Sequence, residues 1–360
     1  MEGFNNIYRG KTVLVTGHTG FKGSWISIWL HELGAKVIGY ALQPRTDKDN
    51  YVLSGIGNKI IDIKGDIRDR CKLLEVFDKY KPEFVFHMAA QPLVRLSYEE
   101  PVETYETNVI GTINVLEAIK KCDETKVGIF ITTDKCYENK EQIWGYRESD
   151  SMGGYDPYSS SKACAEIAIN CWRQSYFNNN EYNKHGKSIA SVRAGNVIGG
   201  GDWAENRIIP DCIRAIEQKK SIKIRSPKAV RPWEHVLEPL SGYLLLGEKM
   251  YNNPIDYCES FNFGPQLSSI VTVWEIAEKV TKNYNSEELE DISSVDDLHE
   301  ANLLLLDISK AWFRLGWKPT LNIDETINYT TYWYKNYTNK NVYDLCVEQI
   351  KSFIYRGDNS

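Results

Sequence analysis

No stretch of this chain is apolar over the length a membrane span requires, so a spanning helix is not expected. The opening residues, MEGFNNIYRG, lack the basic start and apolar run of a secretory signal. Eight cysteines are scattered without a single Cys-x-x-Cys pair. That argues against a disulfide framework and for reduced thiols in a cytoplasmic protein. Positive charge is not in excess: 43 Lys and Arg stand against 49 Asp and Glu, a net −6, which leaves no electrostatic footprint for nucleic acid. His87 and His235 have no Cys, His or Asp partners at zinc-site spacing, so no metal is expected. Internal repeats are absent. What remains is a globular chain of 360 residues, 42% hydrophobic with mixed charge, enough for one large or two modest domains.

The β-branched run Lys11–Thr16 flows into Gly17-His18-Thr19-Gly20-Phe21-Lys22-Gly23. A helical stretch Ser24–Leu33 and a second strand Lys36–Tyr40 follow. This is a strand–glycine turn–helix–strand unit of βαβ length. Its glycines allow a tight turn and close approach of a pyrophosphate, and the helix N-terminus offers N–H groups to the phosphates. Gly17, His18, Gly20, Phe21 and Gly23 are therefore candidate dinucleotide-binding positions. The ribose-binding acid usual after the second strand is missing, since Tyr40-Ala41-Leu42-Gln43 stands there with Arg45 nearby. Residue logic alone leaves NAD against NADP open.

Further strands are expected at Lys59–Lys64, Glu83–Met88, Val127–Thr133 and Ser188–Arg193, alternating with helices at Asp69–Tyr80, Pro101–Lys121 and Tyr158–Phe177. The alternation predicts an α/β fold, a doubly wound parallel sheet of Rossmann type, with ligands beyond the carboxyl ends of the strands. From Gly199 the elements shorten, which predicts a smaller interleaved α/β substrate domain. The expected division is 1–195 for the dinucleotide-binding domain and 196–360 mainly for the substrate domain, with segments returning to the first.

Tyr158 and Lys162 share a helix face at i and i+4. The Lys162 ammonium is expected to lower the Tyr158 phenol toward neutral pH, making it a base for an alcohol whose carbon loses a hydride. Thr132-Thr133-Asp134-Lys135 precedes this pair at a strand end. By themselves, Asp134 and Lys135 read as a solvated turn.

Together these residues resemble the extended short-chain dehydrogenase/reductase superfamily, whose marks occur in order: TGHTGFKG, GDIRD, HMAAQ, TTDK and YSSSK. Longer strings, among them GGYDPYSSSKACAE, RAGNVIGGGDWAENRIIPD and RPWEHVLEPL, resemble the CDP-glucose 4,6-dehydratases from about Gly10 to about Trp333. TTDK is the discriminating string, because the dTDP-glucose branch carries Asp-Glu after the threonine.

The resemblance implies NAD as cofactor and CDP-glucose as substrate. It also implies Tyr158 as the base at the C4 hydroxyl, Thr133 as its hydrogen-bonding relay and Lys162 as the partner lysine. Lys135 becomes the C5 base and Asp134 the C6 acid. Asp66 and Ile67 are expected to border adenine, Ala89 and Ala90 the ribose or nicotinamide side, and Asn108 to act as a relay asparagine. Gln91, Asn196, Arg207 and Arg231 are the substrate-binding candidates, the arginines for the diphosphate. A homodimer is implied through paired helices, with Tyr105, Val109, Ile110, Ile113 and Leu116 on one and Ala163, Ile167, Ile169 and Trp172 on the other. His18 is expected either to crowd the pyrophosphate loop or to point outward. The alternatives are a nucleotide-sugar epimerase, a different nucleotide-sugar 4,6-dehydratase, or a nucleotide-binding regulatory protein that has lost catalysis.

Overall fold

Seven parallel strands form the central sheet: β1 (Thr12–Thr16), β2 (Lys36–Ala41), β3 (Ile61–Lys64), β4 (Phe84–His87), β5 (Val127–Ile131), β6 (Ser188–Ala194) and, after an excursion, β10 (Ser260–Phe263). The computed structural model describes residues 1, 3–266, 269–286, 288–293 and 303–358. The strand order is β10-β6-β5-β4-β1-β2-β3. The order reverses beside β1, so the switch point that places ligands in such folds lies between β1 and β4.

The strands are apolar on both faces because helices cover both. Val13 and Val15 of β1, Phe84 and Phe86 of β4, and Ile129 of β5 point into one core with Trp25, Trp29 and Leu244. Leu14, Val85 and Phe130 alternate into the opposite core with Val115, Leu116 and Ile119. The two-residue period of the pleat thus builds two layers from one sequence run.

After residue 195 the chain makes β7 (Asn196–Ile198), β8 (Ile222–Ile224), β9 (Val230–His235), β11 (Ile270–Thr272) and β12 (Leu289–Asp291). β9 pairs parallel with β7 and antiparallel with β11, while β8 pairs with β12. β10 joins the main sheet beside β6.

Several boundaries differ from expectation. The first helix starts at Phe21 rather than Ser24, so Gly23 lies within its first turn. β5 stops at Ile131, leaving Thr133 as the cap of a short 3₁₀ turn, Asp134–Cys136. The expected helix Pro101–Lys121 is interrupted by a π-turn at Glu106–Ile110. Of the apolar residues that suggested a dimer face, Leu116, Ala163 and Ile169 are buried in the chain's own packing. Tyr105, Ile110 and Ile167 are exposed.

Candidate active site

The glycine turn stands at the end of β1, at the switch point. Gly17 has φ +74°, and a Cβ there would lie 2.7 Å from the Ala89 backbone nitrogen at the end of β4. A Cβ on Gly23 would lie 2.0 Å from the Gly17 carbonyl oxygen. Neither position tolerates a side chain, and helix and strand approach each other more closely than any other residue allows. Gly20 caps the Phe21–Glu32 helix without a side-chain bond, so N–H groups of its first turn face the groove. This cradle fits a dinucleotide pyrophosphate.

His18 does neither of the two things expected of it. Its ring is fully buried under the turn, against Gly39, where a Cβ would come within 2.4 Å of the imidazole. Its Nε2 lies 2.8 Å from Asp62 Oδ1. Burial drives its pKa down to about 4, against the opposing pull of Asp62. The imidazole is a neutral strut between β1, β2 and β3 and adds no bulk above the loop. Ile67 also departs from its expected place. Its side chain is buried against Gly111 in the core and its carbonyl accepts from the Asn114 amide at 3.1 Å, which leaves the backbone N–H to border a base. The Asp66 carboxylate is taken up by the Arg68 N–H and guanidinium.

Beyond the turn lies a cleft of about 600 Å³ that brings together Thr133, Asp134, Lys135 and Tyr158 with Arg207 and Arg231. Asp156 and Pro157 start the Pro157–Ser175 helix, the Asp156 carboxylate accepting from Ser159 N–H at 2.9 Å with proline at the first position. This start sets Tyr158 opposite the end of β5. Asp134 is 1% exposed. Its Oδ1 accepts from the Thr133 hydroxyl at 2.9 Å, and its Oδ2 has no partner among the described residues. Burial raises its pKa toward the neutral carboxyl, although Lys135 and Thr133 oppose the rise.

The expected lowering of Tyr158 by Lys162 is not what the protein shows. Burial pushes the phenol up to about 12, with a Thr133 hydrogen bond pulling the other way. Lys162 donates to the Ile131 carbonyl at 3.1 Å, the end of β5. Its own pKa falls to about 8 through burial, then through the charge of Lys22. Sharing a helix face did not bring ammonium and phenol into contact, and desolvation decides the phenol's direction.

Gln91 is not brought to the cleft. Its amide donates to Leu93 O and Thr104 Oγ1, and its oxygen accepts from Leu93 N–H at 2.6 Å. It braces the loop after β4. Asn108, turned inward by the π-turn, is equally engaged. Its oxygen accepts from Gln91 N–H at 2.8 Å, and its amide donates to Gln91 O and Ser161 Oγ. It ties that loop to the catalytic helix. At the other end of the cleft, Asn196 stands at the start of β7, and Arg207 pairs with Asp202 at 2.8 Å. Arg231, on β9, donates to its neighbour's carbonyl, Val230 O.

Two residues escaped the sequence reading. Lys22, in the first turn after Gly20, lines the same cleft. Its ammonium lies 5.9 Å from the Tyr243 ring centre. Its pKa falls to about 8, chiefly through burial. Behind it, Glu234 of β9 is 1% exposed, and neither carboxylate oxygen has a hydrogen-bonding partner among the described residues. Burial raises its pKa strongly. The available signals were a charge at the apolar start of a helix and an acid inside the strand RPWEHV.

A family model described as GDP-mannose 4,6 dehydratase matches residues 14–330. The chain is 49% identical over 330 residues to the CDP-glucose 4,6-dehydratase of Salmonella typhimurium, covering 92% of each. It is 27% identical to the UDP-glucose 4-epimerase of Halalkalibacterium halodurans, over 90% of this chain and 96% of that one. A structure of dTDP-glucose 4,6-dehydratase from Bacillus anthracis in complex with NAD superposes with a TM-score of 0.75 at 21% identity. It covers 91% of this chain and 97% of that one, and so supports the fold. On the extent of the family match and the identity to the Salmonella protein, the chain belongs to the GDP-mannose 4,6 dehydratase family within the extended short-chain dehydrogenases/reductases.

Proposed function

We propose that this chain is an NAD-dependent CDP-glucose 4,6-dehydratase, a lyase that forms CDP-4-keto-6-deoxyglucose. The observation that carries the reading is the buried Asp134 carboxyl beside Lys135 in the same cleft as Thr133 and Tyr158. Epimerisation by transient oxidation needs a base for one alcohol. Only elimination of water across two neighbouring carbons needs an additional acid and base. The substrate assignment draws on the 49% identity to a protein of that activity.

The residues divide the work by position. The glycine turn, with Gly17 and Gly23 stripped of side chains, would hold the cofactor's pyrophosphate on the helix N-terminus. NAD bound there would supply a hydride acceptor at C4 of the glucose and a hydride donor at C6. Tyr158 takes the C4 hydroxyl proton as the phenolate, a form that the positive nicotinamide of bound NAD would favour against the rise burial imposes, and the resulting ketone acidifies C5. Lys135 takes the C5 proton and later returns it. Asp134, shifted toward its neutral form by burial, protonates the departing C6 hydroxyl. Arg207 and Arg231 bind the diphosphate at the far side of the cleft. The reading also includes a cytoplasmic homodimer acting in deoxysugar and polysaccharide biosynthesis, supported by eight free thiols and an exposed apolar helix face.

Incubation with CDP-glucose and catalytic NAD should consume the sugar nucleotide and yield a 4-keto product that absorbs in alkali. No net NADH should accumulate, since the hydride returns to the sugar. A parallel set of UDP-, dTDP- and GDP-sugars tests the base preference. NADH rising in proportion to product would overturn the reading in favour of a simple dehydrogenase.

A further inference from the structure

Lys22 carries a charge that the fold does not neutralise. It is the second residue of the Phe21–Glu32 helix, just past the Gly20 cap. Among the described residues its ammonium makes no hydrogen bond and no ion pair. Its Nζ stands 5.9 Å from the centre of the Tyr243 ring, which is fully buried in the core. Glu234 does not offset the charge either. Neither of its oxygens has a partner among the described residues, and burial drives it toward the neutral carboxyl. A half-buried lysine of this kind lining a cleft, rather than the surface, faces whatever the cleft binds.

The ends of the cofactor site limit what that is. The pyrophosphate fits the glycine turn and the first-turn N–H groups. The hydride is exchanged with the carbon whose hydroxyl meets Tyr158, so the nicotinamide has to come between the turn and Tyr158. Lys22 lines the cleft that joins them, together with Thr133 and Tyr158. From this placement we infer that Lys22 makes the site prefer the reduced cofactor: its ammonium repels the positively charged ring of NAD and leaves the neutral ring of NADH undisturbed.

The two forms of the cofactor differ by one hydride, two electrons and a proton, and so by one unit of charge on the ring. Their pyrophosphate and riboses are the same. A lysine bound to the pyrophosphate would therefore strengthen both forms alike, and only a cation beside the ring separates them. With a pKa of about 8, Lys22 keeps its proton at neutral pH, as this role requires. Resting on the dehydratase reading, the preference has a use. Between the departure of hydride from C4 and its return to C6, the reduced cofactor must stay with an unfinished sugar. A site that holds NADH more tightly than NAD keeps it there and, by linkage, draws the bound pair toward the oxidised sugar.

The test is a binding titration of cofactor-free full-length protein with NAD and, separately, with NADH, at neutral pH and without sugar. Wild type should bind NADH more tightly than NAD by about tenfold or more. Lys22→Met should tighten NAD and leave NADH nearly unchanged, so that the ratio of the two affinities falls by about tenfold, ~1.4 kcal/mol. Lys22→Gln, uncharged but polar, should behave in the same way and separates charge from shape. Weakening of NAD and NADH by the same factor in these variants would put the ammonium on the pyrophosphate and overturn the inference. An unchanged ratio, or a wild type without preference for NADH, would overturn it as well. Because no sugar is present, the outcome is separate from the lyase reading. A wild type that leaves CDP-glucose untouched would remove that reading, while the shift in cofactor preference would still assign Lys22 to the ring.

Discussion

At the scale of single residues, burial rather than proximity of charge sets the protonation states. Tyr158, Asp134, Lys162 and Lys22 all move toward their neutral forms, with desolvation the largest cause in each. Groups shifted toward neutrality by burial suit a site that must abstract and donate protons in one cycle. Lys22 gives this a measurable consequence. Its folded pKa of about 8 lies below the ordinary 10.5. Below about pH 8 the folded protein holds a desolvated ammonium, and the destabilisation is full. Between about 8 and 10.5 the folded lysine is neutral while the unfolded one is still charged, so the unfolded chain binds more protons and stability rises with pH. Lys22→Met should therefore raise the melting temperature most at neutral pH, with the advantage shrinking to nothing above about pH 10.5. Melting curves across pH 6–11 check this. A gain that is constant across the range would show that packing, not charge, is at issue. The same variant should raise the pKa of Lys162, because it removes a neighbouring cation.

At the scale of elements, two contacts place the chemistry. Where the Phe21–Glu32 helix meets the glycine turn, Gly23→Ala would put a methyl 2.0 Å from the Gly17 carbonyl oxygen. The helix must shift, and its N-terminal N–H groups leave the groove. NAD affinity, read by fluorescence titration, should fall at least about tenfold, a loss of ~1.4 kcal/mol. An unchanged affinity would mean that the turn does not carry the pyrophosphate. The second contact locks the catalytic helix to the sheet. Glu166 and Arg193, 2% and 3% exposed at their side chains, pair at 2.9 Å, and Glu166 also accepts from Thr132 and Ser191 hydroxyls. Glu166→Ala strands the Arg193 charge in the interior. Urea unfolding should show a loss of about 3–5 kcal/mol, the usual cost of breaking a buried pair from one side.

These elements also show why some of the site could be read from sequence and some could not. Gly17, Thr133 and Tyr158 were legible because each stands where a strand or helix with a clear period begins or ends. The π-turn that aims Asn108 inward was not, since PVETYETNVIGT reads as uninterrupted helix. What distorts it is the inward-facing Asn108, bonded to Gln91 and Ser161. Gln91 and Ile67 sit next to true turn positions, but their side chains were claimed by loop and core. Glu234 was hidden because β9 is oriented by pairing with β7 and β11, strands of three residues each that are distant in sequence. The pattern of a three-residue strand carries too little information to orient its side chains.

For the whole molecule, the remaining question is what covers the outer face of the two helices flanking the site. Val102, Tyr105, Ile110 and Ile167 are 70%, 36%, 50% and 59% exposed. They lie on adjacent elements, with the Tyr105 hydroxyl donating to Ser160 Oγ at 2.8 Å to hold the two together. Large apolar side chains exposed together on one face, on helices whose opposite sides fill the core, are what the proposed homodimer would cover. A two-fold axis would set this face against its own copy, pairing two helices from each chain. The site would gain as well, because the Pro157–Ser175 helix that carries Tyr158 and Lys162 would be clamped from outside as well as by the Glu166–Arg193 pair. Light scattering at micromolar concentration should therefore give twice the chain mass of 41.4 kDa. Ile110→Lys with Ile167→Lys should yield a monomer with an unchanged far-ultraviolet circular dichroism spectrum and a lower melting temperature. A wild type that is monomeric, or a double variant that remains a dimer, would place the contact elsewhere and leave this face to be explained by its own solvation.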